Sequence, residues 1–105
     1  MKNFLSGRVL IIDDDAGVVD LIRLSLMRID YSADVFISAD HALFEVDFAD
    51  YDAIICEMHL GSMNAIELAR DVRQKDPALP VIIVTRQTDV ESAITAIKEG
   101  VFDYV

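Results

Sequence analysis

Arg8-Val9-Leu10-Ile11-Ile12-Asp13-Asp14-Asp15 runs four unbroken apolar residues straight into three acids. An apolar stretch without polar alternation reads as a strand buried on both faces, the situation of a strand inside a parallel sheet covered by helices on either side. The segments downstream repeat the theme. Val18, Leu21, Ile22, Ser25, Leu26 and Ile29 recur at helical spacing, and Ala33 to Ile37 is a weaker strand. Ser38 can cap a helix with Ala39, Ala42, Leu43 and Val46 on one face, and Ala53 to Cys56 is a third strand. Asn64 can cap a helix carrying Ala65, Leu68, Ala69 and Val72, with Pro77 just past its end. Val81 to Val84 is a fourth strand. Thr88-Asp89-Val90-Glu91 is a capping box opening a helix that Gly100 ends, and Val101 to Val105 is a fifth strand. Five strands alternating with four helices predict an α/β fold with right-handed crossovers and a parallel sheet.

In such a sheet, functional groups gather outside the carboxyl ends of the strands. The first strand ends in Asp13-Asp14-Asp15, the third in Glu57 and the fourth in Thr85-Arg86. Carboxylates, a hydroxyl and a guanidinium are therefore expected to converge on one edge. Clustered carboxylates repel unless a cation neutralises them, and oxygen ligands of this kind suit Mg²⁺. Asp15 is better read as the N-cap of the first helix.

The formal charge of −10 argues against nucleic-acid binding by this domain alone. A hydrophobic fraction of 53% is ample for a packed core and too high for a disordered chain. No apolar run is long enough to span a membrane, and the first residues do not resemble a signal peptide. The single cysteine, Cys56, rules out an internal disulfide framework and fits a reducing, cytoplasmic setting.

Four stretches together, RVLIIDDD from Arg8, YDAIICEM from Tyr51, LPVIIVTR from Leu79 and AIKEGVFDYV from Ala96, resemble the receiver domains of bacterial two-component response regulators. The resemblance covers residues 8 to 105 and implies the flavodoxin-like, doubly wound five-stranded sheet of order 2-1-3-4-5. It implies Mg²⁺ at Asp13, Asp14 and Glu57, with Glu57 in the place of the phosphoacceptor aspartate. By the same resemblance Thr85 is the hydroxyl that holds a phosphoryl oxygen, and Tyr104 is the aromatic switch toward the output surface. The family's phosphate-binding lysine would fall about two positions past Val105. Its last helix would lie beyond that, so residues 1–105 are expected to be a receiver domain cut before its fifth helix. The apolar sheet face left uncovered would then be hidden by self-association.

Three departures bear on the chemistry. Glu57 carries an extra methylene that moves the carboxylate by about 1.5 Å, and a misplacement of ~1 Å can cost on the order of a hundredfold in rate. Arg86 stands where the family has a small residue, either as a solvated side chain or as an internal counterion for Glu57 and Asp14. The loop after Glu57 reads Gly61-Ser62-Met63-Asn64-Ala65 in place of Pro-Gly-x-Asp-Gly. Phosphorylation is thus expected to be lost or mimicked and Mg²⁺ to bind weakly or not at all, unless Glu57 is an engineered change in a normal receiver. The partners implied are a cognate histidine kinase and an output domain of the same chain. Asp89 to Ile94 and Lys98 to Tyr104 are most similar to receivers that precede the ATPase and DNA-binding parts of transcription activators. A competing reading takes Asp13-x-Asp15 as the opening motif of a haloacid-dehalogenase-type phosphohydrolase with Asp13 as nucleophile; the chain has no later paired-Asp motif to match it.

Overall fold

The computed structural model describes residues 7–61 and 63–84, together with the backbone of 103–104. In chain order, β1 (Gly7–Ile12) leads into α1 (Ala16–Met27) and β2 (Tyr31–Phe36). Next come α2 (Ala39–Glu45), a single 3₁₀ turn (Phe48–Asp50) and β3 (Ala53–Cys56). Two short strands follow, β4 (His59–Leu60) and β5 (Met63–Asn64), then α3 (Ala65–Lys75), β6 (Val81–Ile83) and β7 (Asp103–Tyr104). The main sheet has the order β2-β1-β3-β6-β7, and every pairing in it is parallel. With the β4–β5 hairpin set aside, this is the expected order 2-1-3-4-5. The helix expected between Thr88 and Gly100 lies outside the described residues.

Alternate residues of the strands feed two separate cores, as the pleat requires. Leu10, Ile12, Ile54, Cys56, Val81 and Ile83 face α2 and α3, where Ala39, Ala42, Leu68, Ala69 and Val72 close over them. Val9, Ile11 and Val19 form the second core, against which Ile22, Leu26, Ala33, Val35, Ala53 and Ile55 pack. Side chains such as Leu10, Ile12, Ile54 and Leu68 are wholly buried, each contributing about 1.5–3 kcal/mol over an exposed position. Among the described residues no helix is long and apolar enough to cross a membrane.

The helix caps follow the predicted chemistry. Asp15 accepts from the Gly17 and Val18 amides, and Ser38 accepts from that of His41. Asn64 and Glu67 form a reciprocal capping box at the start of α3. Two expectations need correction. β2 begins at Tyr31 and ends at Phe36, so Ile37 falls outside the strand and is 71% exposed. α1 rests on the sheet through Val19, Ile22 and Leu26, while Leu21 turns outward and Ile29 lies exposed past the end of the helix. The helix is apolar on opposite sides, so its spacing alone did not decide which side would seat.

Candidate functional site

The strand register brings the predicted acids to one edge. Ile12 of β1 lies opposite Cys56 of β3, and the Glu57 amide donates to the Ile12 carbonyl at 3.1 Å. The Asp13 amide donates to the Phe36 carbonyl at 3.0 Å, so β2, β1 and β3 end level. On the far side of β3, the Val84 amide donates to the Cys56 carbonyl at 2.8 Å. Asp13, Asp14 and Glu57 therefore share the carboxyl edge of the sheet. Thr85, Arg86 and the Tyr104 side chain lie outside the described residues; the backbone of Tyr104 pairs with Ile83 on β6.

The three carboxylates sit in different surroundings. Asp13 is 3% exposed, and its Oδ1 accepts the Asp15 amide at 2.8 Å. That bond ties the end of β1 to the start of α1, because Asp15 is the residue that caps the helix. Asp14 is exposed. Glu57 is half-buried, and its Oε1 accepts the next amide in the chain, that of Met58, at 2.8 Å. Cys56 lies beneath them. Burial pushes its thiol from 9.0 up to about 12, and the negative charges of Glu57 and Asp13 add to the shift.

A Mg²⁺ ion needs near-octahedral oxygen ligands at about 2.0–2.1 Å. Among the described residues no group of three or more His, Cys, Asp or Glu side chains is disposed to hold a metal ion. The expected trio of Asp13, Asp14 and Glu57 does not fit the ion as it stands, since Asp14 opens to solvent and Glu57 is bent onto its own backbone. The arrangement is an acidic edge whose inner carboxylates are engaged by main-chain amides.

The β4–β5 hairpin was not anticipated. It pairs His59 with Asn64 and Leu60 with Met63, with Gly61 turning at φ 77°. The signal was the Gly-Ser pair between Leu60 and Met63, since glycine in the first position of a two-residue loop is a hairpin signature. The hairpin sets the path from Glu57 to α3: the Ala65 amide returns to the Met58 carbonyl at 2.8 Å. His59 is exposed, as expected of a loop side chain.

A second polar group also escaped notice. Arg8 forms an ion pair with Asp34, the Tyr51 hydroxyl donates to Asp34 at 2.8 Å, and the Arg8 guanidinium lies over the Tyr51 ring. Burial, then the bond to Asp34, pushes the Tyr51 hydroxyl up to about 12. These residues line an open groove of about 600 Å³ beside β2 that none of Asp13, Asp14 or Glu57 reaches.

A five-stranded parallel sheet with acids at the ends of its first and third strands defines a class, and the sequence comparison agrees. Residues 9–105 match the response regulator receiver domain family, and the chain belongs to it. Its similarity to the transcriptional regulatory protein ZraR of Escherichia coli strain K12 is 29% identity over 97 residues, 92% of this chain and 22% of that protein. With the DNA-binding transcriptional regulator NtrC of Klebsiella pneumoniae it shares 28% over 99 residues, 94% of this chain and 21% of that one. The chain thus spans about a fifth of the length of these relatives. A receiver domain from Clostridium thermocellum superposes with a TM-score of 0.83 at 26% identity, covering 94% of this chain and 80% of that one. This membership removes the dehalogenase-type reading, and Asp15 of the Asp13-x-Asp15 motif is a helix cap.

Proposed function

We propose that residues 1–105 act as the signal-receiver module of a two-component response regulator in which aspartyl phosphorylation is lost or mimicked, governing a C-terminal output domain that activates transcription. The observation that carries this reading is the Glu57 carboxylate held by the Met58 amide at 2.8 Å. A carboxylate attacks phosphorus only from an aligned, near-contact position. Here the residue at the acceptor place is longer than aspartate and curls back to its own main chain. That bond holds Oε1 along the main chain.

On this reading the module is a regulatory binding domain and not an enzyme. Thr85 supplies the hydroxyl at the pocket, Arg86 the internal positive charge for Glu57 and Asp14, and Tyr104 the switch toward the output surface. Mg²⁺ then binds weakly or not at all, because Arg86 supplies the positive charge that the ion would otherwise bring. The partners are a cognate histidine kinase or the output domain of the same chain, in the cytoplasm, and the −10 charge disfavours nucleic acid as a direct ligand of this domain. The names of the relatives support transcription as the output.

Incubation with acetyl phosphate and Mg²⁺, followed by intact-mass measurement, tests the proposal. The chain should remain unmodified, and Glu57→Asp should recover only part of the reactivity of an ordinary receiver. Stoichiometric phosphoryl addition mapped to Glu57 overturns it.

A further inference from the structure

β2 lies at the opposite end of the sheet from β7, so its outer edge is the one farthest from where the chain leaves the sheet. The Asp13 amide donates to the Phe36 carbonyl, and that bond fixes the direction of the main-chain groups along the strand. Ser32, Asp34 and Phe36 turn their N–H and C=O toward β1. Tyr31, Ala33 and Val35 turn theirs outward, because successive residues of a strand alternate. Among the described residues no strand pairs with that outer side. The edge is also recessed. Ala33 and Val35 lie in the groove of about 600 Å³ beside β2, between Arg23 of α1 and the stretch from Glu45 to Asp50. A further space of about 250 Å³ continues it along Ala33, Ser32 and Tyr31.

The charge in this groove is one-sided. Arg8 is taken up by Asp34. Among the lining side chains that leaves Glu45, Asp47 and Asp50 against Arg23. Glu45 is bonded to the His41 imidazole and Asp47 to the Ala49 amide, each at 3.0 Å, and a carboxylate has acceptor sites to spare beyond one such bond. We infer that the β2 edge takes up an extended, basic peptide segment of a partner protein as a sixth strand of the main sheet. The outward N–H and C=O groups of Ala33 and Val35 supply the main-chain bonds, and the acids select the side chains. Asp34 and Phe36 lie on the α2 side of the sheet and Ala33 and Val35 on the α1 side. The guest obeys the same alternation. Every second residue is therefore lysine or arginine, facing Glu45, Asp47 and Asp50, and those between are apolar.

The same charges disfavour a second copy of β2 as the guest. That strand carries Asp34 and no base, so it would set a carboxylate against the acidic wall. A six-residue strand is about 20 Å long, and a single strand added to it buries less than the roughly 1,200 Å² of a stable complex. The contact is accordingly weak and reversible. It lies away from Asp13, Asp14 and Glu57, so it stands or falls apart from the chemistry of the acidic edge.

Fluorescence anisotropy of a labelled, end-blocked hexapeptide that alternates lysine and valine, titrated with the chain, gives the test, with amide hydrogen exchange as a second readout. The peptide should bind, and exchange at the Ala33 and Val35 amides should slow as it saturates. A hexapeptide alternating glutamate and valine should not bind. Glu45→Lys and Asp50→Lys should each weaken binding on the order of tenfold. Two further peptides carry N-methyl groups, one on the lysine nitrogens and one on the valine nitrogens. Both keep every charge, but only one of them blocks the nitrogens that face β2, so one should lose binding and the other retain it. Absence of binding up to about 1 mM chain refutes the inference. Binding that both methylated peptides retain, or that leaves exchange at Ala33 and Val35 unchanged, refutes strand addition. Equal binding of the glutamate peptide refutes selection by the acids.

Discussion

Carrying the chain from neutral pH toward about pH 11 should weaken it in a way that traces to Cys56. The thiol is buried under the acidic edge, and its folded-state value is raised from 9.0 to about 12. In the unfolded chain the thiol ionises near its ordinary value. The folded state therefore holds a proton that the unfolded state gives up, and stability falls as pH rises. The contribution of the neutral thiol is complete below about pH 9 and is lost progressively toward about pH 12. Integrating the proton difference gives a loss of about 1 kcal/mol at pH 10 and about 3 kcal/mol at pH 11. Tyr51, raised from 10.0 to about 12, starts to lose its share one pH unit later and adds about 1 kcal/mol at pH 11. Urea midpoints measured at about pH 7, 9, 10 and 11 supply the stability curve. Cys56→Ala should lower stability at neutral pH through lost packing, yet flatten most of the fall between about pH 9 and 10, where the tyrosine supplies only the smaller part. An equally steep fall in Cys56→Ala over that interval would falsify the assignment to the buried thiol.

Two further perturbations probe the fold around the site. Asn64→Ala removes one half of the capping box at α3, in which the Glu67 amide donates to Asn64 at 2.9 Å, and should cost about 1 kcal/mol in a urea titration; Asn64→Asp should be nearly neutral. Leu68→Ala empties a fully buried position beneath the same helix and should cost about 2–5 kcal/mol, enough to lower the thermal midpoint by roughly 10 °C or more.

Strand identity was legible because Val9 to Ile12, Ala53 to Cys56 and Val81 to Val84 are short, unbroken and apolar, and a sheet covered on both faces accommodates them; the order of the strands came from the family resemblance alone. The shared acidic edge followed from that, since Asp13 and Glu57 each come directly after a strand. What could not be read was side-chain disposition. Whether Glu57 points at a metal or at the Met58 amide is a matter of rotamer, and one methylene separates the two outcomes. The seat of α1 was ambiguous for a different reason: Ile22 and Leu24 are equally apolar and lie on opposite sides. The start of β2 was obscured by Asp34, a charge on the core-side face, whose acceptability depends on Arg8 and Tyr51 far away in the chain.

That same Asp34 bears on how the molecule stays dispersed. Among the described residues β2 is the outermost strand, with no strand paired to its outer side, and open strand edges invite other chains to add on and grow into fibrils. Across Tyr31 to Phe36 the only charged side chain is Asp34, and its ion pair with Arg8 and its bond from Tyr51 hold it on the core-side face of the strand. A valine there would leave Tyr-Ser-Ala-Val-Val-Phe, six residues without charge or proline, the composition typical of fibril-forming segments. The charged trio beside β2 thus acts as a gatekeeper for the edge, making aggregation through this strand costly.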